Sequence, residues 1–222
     1  MPRLARIVIP DVPHHVTQRG REGCIVFADD FDRSEYITLL RNNCIESSLE
    51  VHGYCLMSNH VHLVVTPRSE NSLANAIGYT HRQYARRFNK RHQRRGRLWQ
   101  NRFYSCPLGE GHFLQALMYV DNNPVRAGLV EHPWQYLWSS AIAHTGKLDT
   151  ARLIDGRNWM RISRLYDWET VARQRLDERI IGALRQCTYS GRPMGDARSL
   201  GEVASKFRGG DSDPVSGPNV MA

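Results

Sequence analysis

Two histidines separated by one residue, His60 and His62, sit inside the apolar run from Tyr54 to Val65. Alternate residues of a strand project to the same side, so both imidazoles face one way and offer two nitrogen donors, half of a site for a divalent ion. Further along stands Tyr119, with Asn123 four residues after it, so that the two share one side of a helix while Asn122 is turned aside. An amide oxygen can complete a donor set begun by imidazoles, and mixed nitrogen and oxygen ligands suit Mg2+ or Mn2+ with positions left open for phosphate. A phenol, with a reference pKa of about 10, is mostly protonated at neutral pH and attacks a phosphodiester only with help, which a bound cation gives by polarising the phosphoryl oxygen. Singly, a buried HxH pair and an aromatic near a helix end are ordinary core features; together they describe phosphoryl transfer by a tyrosine.

A surface for the phosphodiester is also present. Between Glu70 and Glu110 there is no acidic residue, while Arg82, Arg86, Arg87, Lys90, Arg91, Arg94, Arg95, Arg97 and Arg102 accumulate. Arg82, Arg86 and Lys90 are spaced four apart and share one helical stripe, beside Arg87, Arg91 and Arg94 on the next, so a phosphate backbone can lie along that face. Of the interleaved aromatics, Tyr84 and Phe88 read as core beneath the basic face, and Trp99 as the better platform for an unpaired base.

The whole chain is consistent with a polyanionic partner. Its 222 residues are 41% hydrophobic, enough for a sizeable core, and carry a formal net charge of +8, which favours nucleic acid over an anionic membrane. Five scattered cysteines with no CxxC pair suggest neither a disulfide framework nor a thiolate zinc cage and fit a reducing cytoplasm. No apolar run is long enough to serve as a signal peptide or to span a bilayer, so the expectation is a cytoplasmic, nucleoid-associated protein without membrane attachment.

The elements that must position these residues follow from periodicity. A strand at His14 to Arg19 precedes a helix over Asp32 to Ser48, and a hairpin is expected from Glu50 to Met57 and Val61 to Thr66, broken at Ser58-Asn59 and closed by Pro67. A long helix over Ser72 to about Arg94, with Ser72 as its cap, ends by Gly96. A strand falls within Leu98 to Pro107, and a helix spans Gly111 to Asn122 before Pro124. The order βαββαβα predicts an α+β fold, a ferredoxin-like or RRM-like antiparallel sheet with helices on one face. We expect a catalytic domain over 1–145, a C-terminal helical appendage over 146–208 with stretches at Trp159 to Tyr166 and Trp168 to Cys187, and a disordered tail over 209–222.

These residues resemble a known family, the HUH single-tyrosine transposases, and in particular the REP-associated tyrosine transposases. The resemblance runs from about His14 to Trp138 and rests on His14 to Gly20, Gly53 to Pro67, Gly96 to Phe103 and Tyr119 to Val130. It implies metal-dependent cleavage and rejoining of single-stranded DNA, with His60 and His62 as metal ligands and Tyr119 as the nucleophile that leaves a 5′-phosphotyrosine and a free 3′-hydroxyl. Asn123 falls where similar transposases place a third ligand, although mobile relatives tend to carry Gln there. The resemblance further implies a hairpin DNA partner from repeated palindromes, gripped by the basic segment, with Arg19 beside it. Relatives build the site across a homodimer; a monomer with the site in one chain is the other arrangement. The rival reading is a non-catalytic, domesticated protein that binds structured single-stranded DNA or RNA, and a more distant one is a metallonuclease that activates water.

Overall fold

The computed structural model describes residues 6–109 and 111–208, so the tail expected over 209–222 lies outside the described residues. The chain runs β1 (His14–Arg19), α1 (Asp30–Glu46), β2 (Leu49–Met57), β3 (His60–Pro67), α2 (Tyr79–Arg91), β4 (Tyr104–Pro107) and α3 (His112–Asp121). The four strands form one antiparallel sheet in the order β2-β3-β1-β4. That is the expected βαββαβ arrangement, an α+β fold with the two central strands carrying His15 and His62.

Alternation along β3 sorts its side chains strictly. Val61, Leu63 and Val65 enter a core with Val16, with Tyr36 and Leu40 of α1 and with Tyr84 and Phe88 of α2. His60, His62 and Val64 point to the other side, where Val64, Cys55 and Cys106 pack under Phe113 and Leu117 of α3. The second face is therefore covered as well, first by α3 and then by chain that follows it. That chain forms α4 (Asn123–Arg126), α5 (Ala141–His144), α6 (Gly156–Ser163), α7 (Trp168–Arg173), α8 (Glu178–Ser190) and α9 (Ala197–Arg208). Trp168, Ala172, Ile181 and Leu184 of α7 and α8 lie in the same apolar cluster as α3.

Local chemistry explains where these helices begin. Asp29 caps α1, its carboxylate accepting from the Asp32 backbone N–H at 3.0 Å. Asp155, Asp167 and Asp177 do the same for α6, α7 and α8. The Asp177 cap is why the stretch expected as one run from Trp168 to Cys187 is two helices. The expected helix from Ser72 opens instead with a π-helical turn, Ala74–Gly78, before α2. It stops at Arg91, because Gln93 takes φ 50° and the Arg94 N–H turns back to the Asn89 carbonyl at 2.8 Å.

Candidate active site

Strand register places the first donors. His62 lies opposite Thr17 and Cys55, and His60 opposite Arg19 and Met57, so these side chains share the sheet face beneath α3. His60 stands at the strand's start, where its Nδ1 meets Asn59 Oδ1 at 2.6 Å. The ring planes of His60 and His62 are nearly perpendicular with centroids 4.9 Å apart. Burial, reinforced by the cationic Arg19 and Arg185, pushes the His60 pKa down to about 4. Burial drives His62 well below the usual imidazole range, helped by His60 and His15. Both rings are consequently neutral at physiological pH, the state in which imidazole donates to a metal.

Close packing of α3 supplies the tyrosine. A Cβ on Gly53 of β2 would stand 2.7 Å from Leu117 Cδ2, so glycine is what lets the helix lie this near the sheet. Two residues beyond Tyr119, the buried carboxylate of Asp121 fixes the helix end. Its Oδ1 accepts from Ser140 Oγ at 2.6 Å, and its Oδ2 from His144 Nδ1 at 2.7 Å and Trp168 Nε1 at 2.8 Å. The Tyr119 ring then stands edge-on to His62 at 5.4 Å and to His15 at 5.6 Å between centroids, within one chain. Asn123 Nδ2 donates to the Tyr119 carbonyl at 2.8 Å, which leaves the amide oxygen as the atom available for other partners.

His60, His62, Tyr119 and Asn123 line one cavity of about 450 Å³, together with Arg19, Arg126 and Arg185. Arg185, on α8, donates from Nε to the Tyr119 hydroxyl at 3.2 Å. Arg126 and Arg185 bring their guanidinium carbons within 5.1 and 5.8 Å of the Tyr119 ring centre. Among the described residues no cluster of three or more His, Cys, Asp or Glu is placed to hold a metal. A cation here would rest on two imidazoles and the Asn123 oxygen, in a cavity whose fixed charges are all positive. That donor set fits a divalent ion that completes its shell with phosphate oxygens and water.

Three residues of this centre were missed by sequence reading. His15 has the same strand parity as Thr17 and Arg19, a signal present but unused. Arg126 follows Asn123 by three residues. Arg185 left no signal, since its approach depends on how α8 docks.

The basic run is distributed differently from expectation. Arg82, Arg86, Lys90, Arg94, Arg95, Arg97 and Arg102 are exposed, but α2 packs on the sheet face opposite the histidines. The second stripe meets α1: Arg87 pairs with Glu35 at 3.1 Å, and Arg91 pairs with Asp29 and Asp32 at 2.6 Å each. Part of the missing counter-charge is thus supplied within the protein. Trp99, expected as a stacking platform, is only 8% exposed, and its indole N–H donates to the His81 carbonyl at 3.0 Å, so it belongs to the core. The two faces are nevertheless connected around the β4 edge. A cavity of about 500 Å³ holds Arg6, Arg82, Arg97 and Arg102. The next, about 540 Å³, shares Arg6 and Arg102 and adds Tyr189 and Arg192. Tyr189 in turn lines the tyrosine cavity.

Residues 14–123 match the family described as "Transposase IS200 like", and this segment, which carries both histidines, the tyrosine and Asn123, belongs to that family. The fold is similar to that of a REP-associated tyrosine transposase bound to a REP hairpin, with a TM-score of 0.54 at 15% identity over 66% of this chain and 86% of that one. A crystal structure of a protein of Deinococcus radiodurans R1 described as a transposase is a weaker match, with a TM-score of 0.38 at 18% identity over 55% of this chain and 97% of that one. No curated protein matches the chain. Among the described residues, no helix is long and apolar enough to cross a membrane.

Proposed function

We propose that the protein is a metal-dependent single-strand DNA endonuclease and strand transferase of the HUH tyrosine type, acting on hairpin-forming repeats with its active site complete in one chain. The observation that carries this reading is that Tyr119, His60, His62 and Asn123 line one cavity of a single polypeptide. His60, His62 and Asn123 would hold the ion, Mg2+ or Mn2+. When bound, it polarises a phosphoryl oxygen and offsets the charge that builds on phosphorus.

The chain's own residues do the rest. Tyr119 Oη attacks the scissile phosphorus; the P–O3′ bond breaks, the phenolic proton ends on the departing 3′-oxygen or in solvent, and the 5′-phosphate remains on the tyrosine. Attack by a 3′-hydroxyl on that phosphotyrosine reverses the bond changes and rejoins strands, so no external energy source is needed. Arg185 places a positive charge against the oxygen that carries negative charge as nucleophile and as leaving group. Arg126 and Arg19 stand where the phosphate must lie. The cavities rounding the β4 edge give unpaired strand a cationic route from the exposed stripe of Arg82, Arg86 and Lys90 to the tyrosine, and the hairpin stem is the partner expected on that stripe.

Incubating the full chain with labelled hairpin DNA carrying unpaired flanks, and Mg2+ or Mn2+, tests this. A covalent protein–DNA adduct should form and should disappear in Tyr119→Phe. Equal adduct in that variant would move the nucleophile elsewhere. Tight, salt-sensitive hairpin binding with no adduct under any metal would favour the non-catalytic binding protein.

A further inference from the structure

Donor and acceptor arithmetic around His15 reaches beyond the residues that line the cavity. Thr188 of α8 is buried, and its Oγ1 lies 2.6 Å from the Leu184 carbonyl. A hydroxyl has a single proton and a carbonyl can only accept, so that proton is committed to Leu184. His15 Nδ1 lies 2.7 Å from the same Oγ1 and must therefore donate to it. Cys106 Sγ, 3.3 Å from Oγ1, is consistent with this, because burial pushes its thiol up to about 12 and it keeps its proton.

With Nδ1 of the neutral His15 ring protonated, its Nε2 carries a lone pair. His62 Nδ1 lies 3.1 Å from that atom, and the two ring planes are inclined by only 14°, which suits an in-plane bond. His62 Nδ1 must hold the proton, and its Nε2 is left with the lone pair. His60 reaches the same state by a separate route. Asn59 donates from Nδ2 to the Gly23 carbonyl at 3.3 Å, so the Oδ1 it presents to His60 Nδ1 is an acceptor.

We propose that Thr188 and His15 are positioning residues of the cation site: a buried relay, Leu184 carbonyl to Thr188 to His15 to His62, holds His62 as the Nδ1–H tautomer with Nε2 free to donate. This rests on the reading of His62 as a metal donor. It makes α8, far along the chain, a part of the machinery that the strand motif alone was expected to provide. Outer partners of this kind orient a ligating histidine and fix which nitrogen is basic.

The ring nitrogens report the relay directly in the metal-free, full-length 15N-labelled protein. Long-range 1H–15N spectra should show His62 with a protonated Nδ1 and an unprotonated Nε2. In Thr188→Val the acceptor is lost and His15 turns its proton toward His62, so His62 should shift to the Nε2–H form. Mn2+ binding, measured by calorimetry, should weaken about 10- to 100-fold, and Thr188→Ser should restore both. A wild-type His62 protonated at Nε2 would overturn the proposal whether or not the valine variant folds. So would a folded valine variant with unchanged tautomer and Mn2+ affinity. A protein that shows the relay and yet forms no Tyr119 adduct would defeat the strand-transfer reading and leave the relay standing.

Discussion

Arg185 Nε donates to the hydroxyl of Tyr119 at 3.2 Å, across 66 residues of sequence. The bond raises the Arg185 pKa above its ordinary value, and the guanidinium keeps its charge beside the oxygen that, in the proposed reaction, bears charge in both directions of strand transfer. Removing that charge should act on the chemical step. Arg185→Gln is expected to slow adduct formation on the order of 10²-fold while hairpin affinity changes less than threefold, and Arg185→Lys should recover part of the rate. Single-turnover cleavage alongside equilibrium binding separates the two; an equal loss in both would make Arg185 a DNA anchor only.

The Asp121 carboxylate is fully buried and is held by Ser140, His144 and Trp168. Replacing it with Ala strands three buried donors and loosens the end of α3. We expect Asp121→Ala to cost about 3–5 kcal/mol in urea unfolding, with a smaller loss for Asp121→Asn. A loss below 1 kcal/mol would show that the cluster does not hold the tyrosine helix.

Arginines of α2 divide by partner. Arg82→Ala with Arg86→Ala should lower the slope of log affinity against log salt by about 2 and leave the melting temperature in place. Arg91→Ala should instead lower the melting temperature, since Asp32, fully buried, loses its 2.6 Å partner. Binding titrations across salt and a thermal melt of each variant check this, and a salt slope unchanged in the double variant would remove α2 from the DNA surface.

Buried histidines make the fold acid-labile. Burial pushes His14 down to about 4 and His81 to about 3. In the unfolded chain each titrates near 6.5, so between that pH and about 4 the unfolded state binds protons that the folded state refuses. Stability should therefore fall as pH drops from 6.5, by about 1.4 kcal/mol per pH unit for each ring, and level off for His14 near pH 4. Unfolding free energies at pH 7.5 and pH 5 that coincide would contradict this.

Features written in short-range spacing were legible in the chain. The parity of His60 and His62, the four-residue step from Tyr119 to Asn123 and the order of strands and helices all follow from periods of 2 and 3.6 residues. What was hidden depends on docking. His15 joins His62 through sheet register, and Thr188 meets His15 across 173 residues. Trp99 sits in an exposed-looking basic segment and is buried because its indole finds the His81 carbonyl. The Arg87 and Arg91 stripe looked free, yet Asp29, Asp32 and Glu35 recur every three residues on α1, and only helix packing shows that they are its partners.

The late position of α8 orders events during synthesis. A ribosome releases the strand bearing His62 and the helix bearing Tyr119 well before Arg185 and Thr188, and until those arrive Cys106 and the Tyr119 hydroxyl lack the partners that α8 brings to that face. The nascent polypeptide is thus a sheet covered only in part on that side, with its tyrosine cavity unfinished, a species prone to aggregation. On the proposed reading, competence to break DNA comes only when the last helices close over the sheet, which ties the hazardous chemistry to completion of folding.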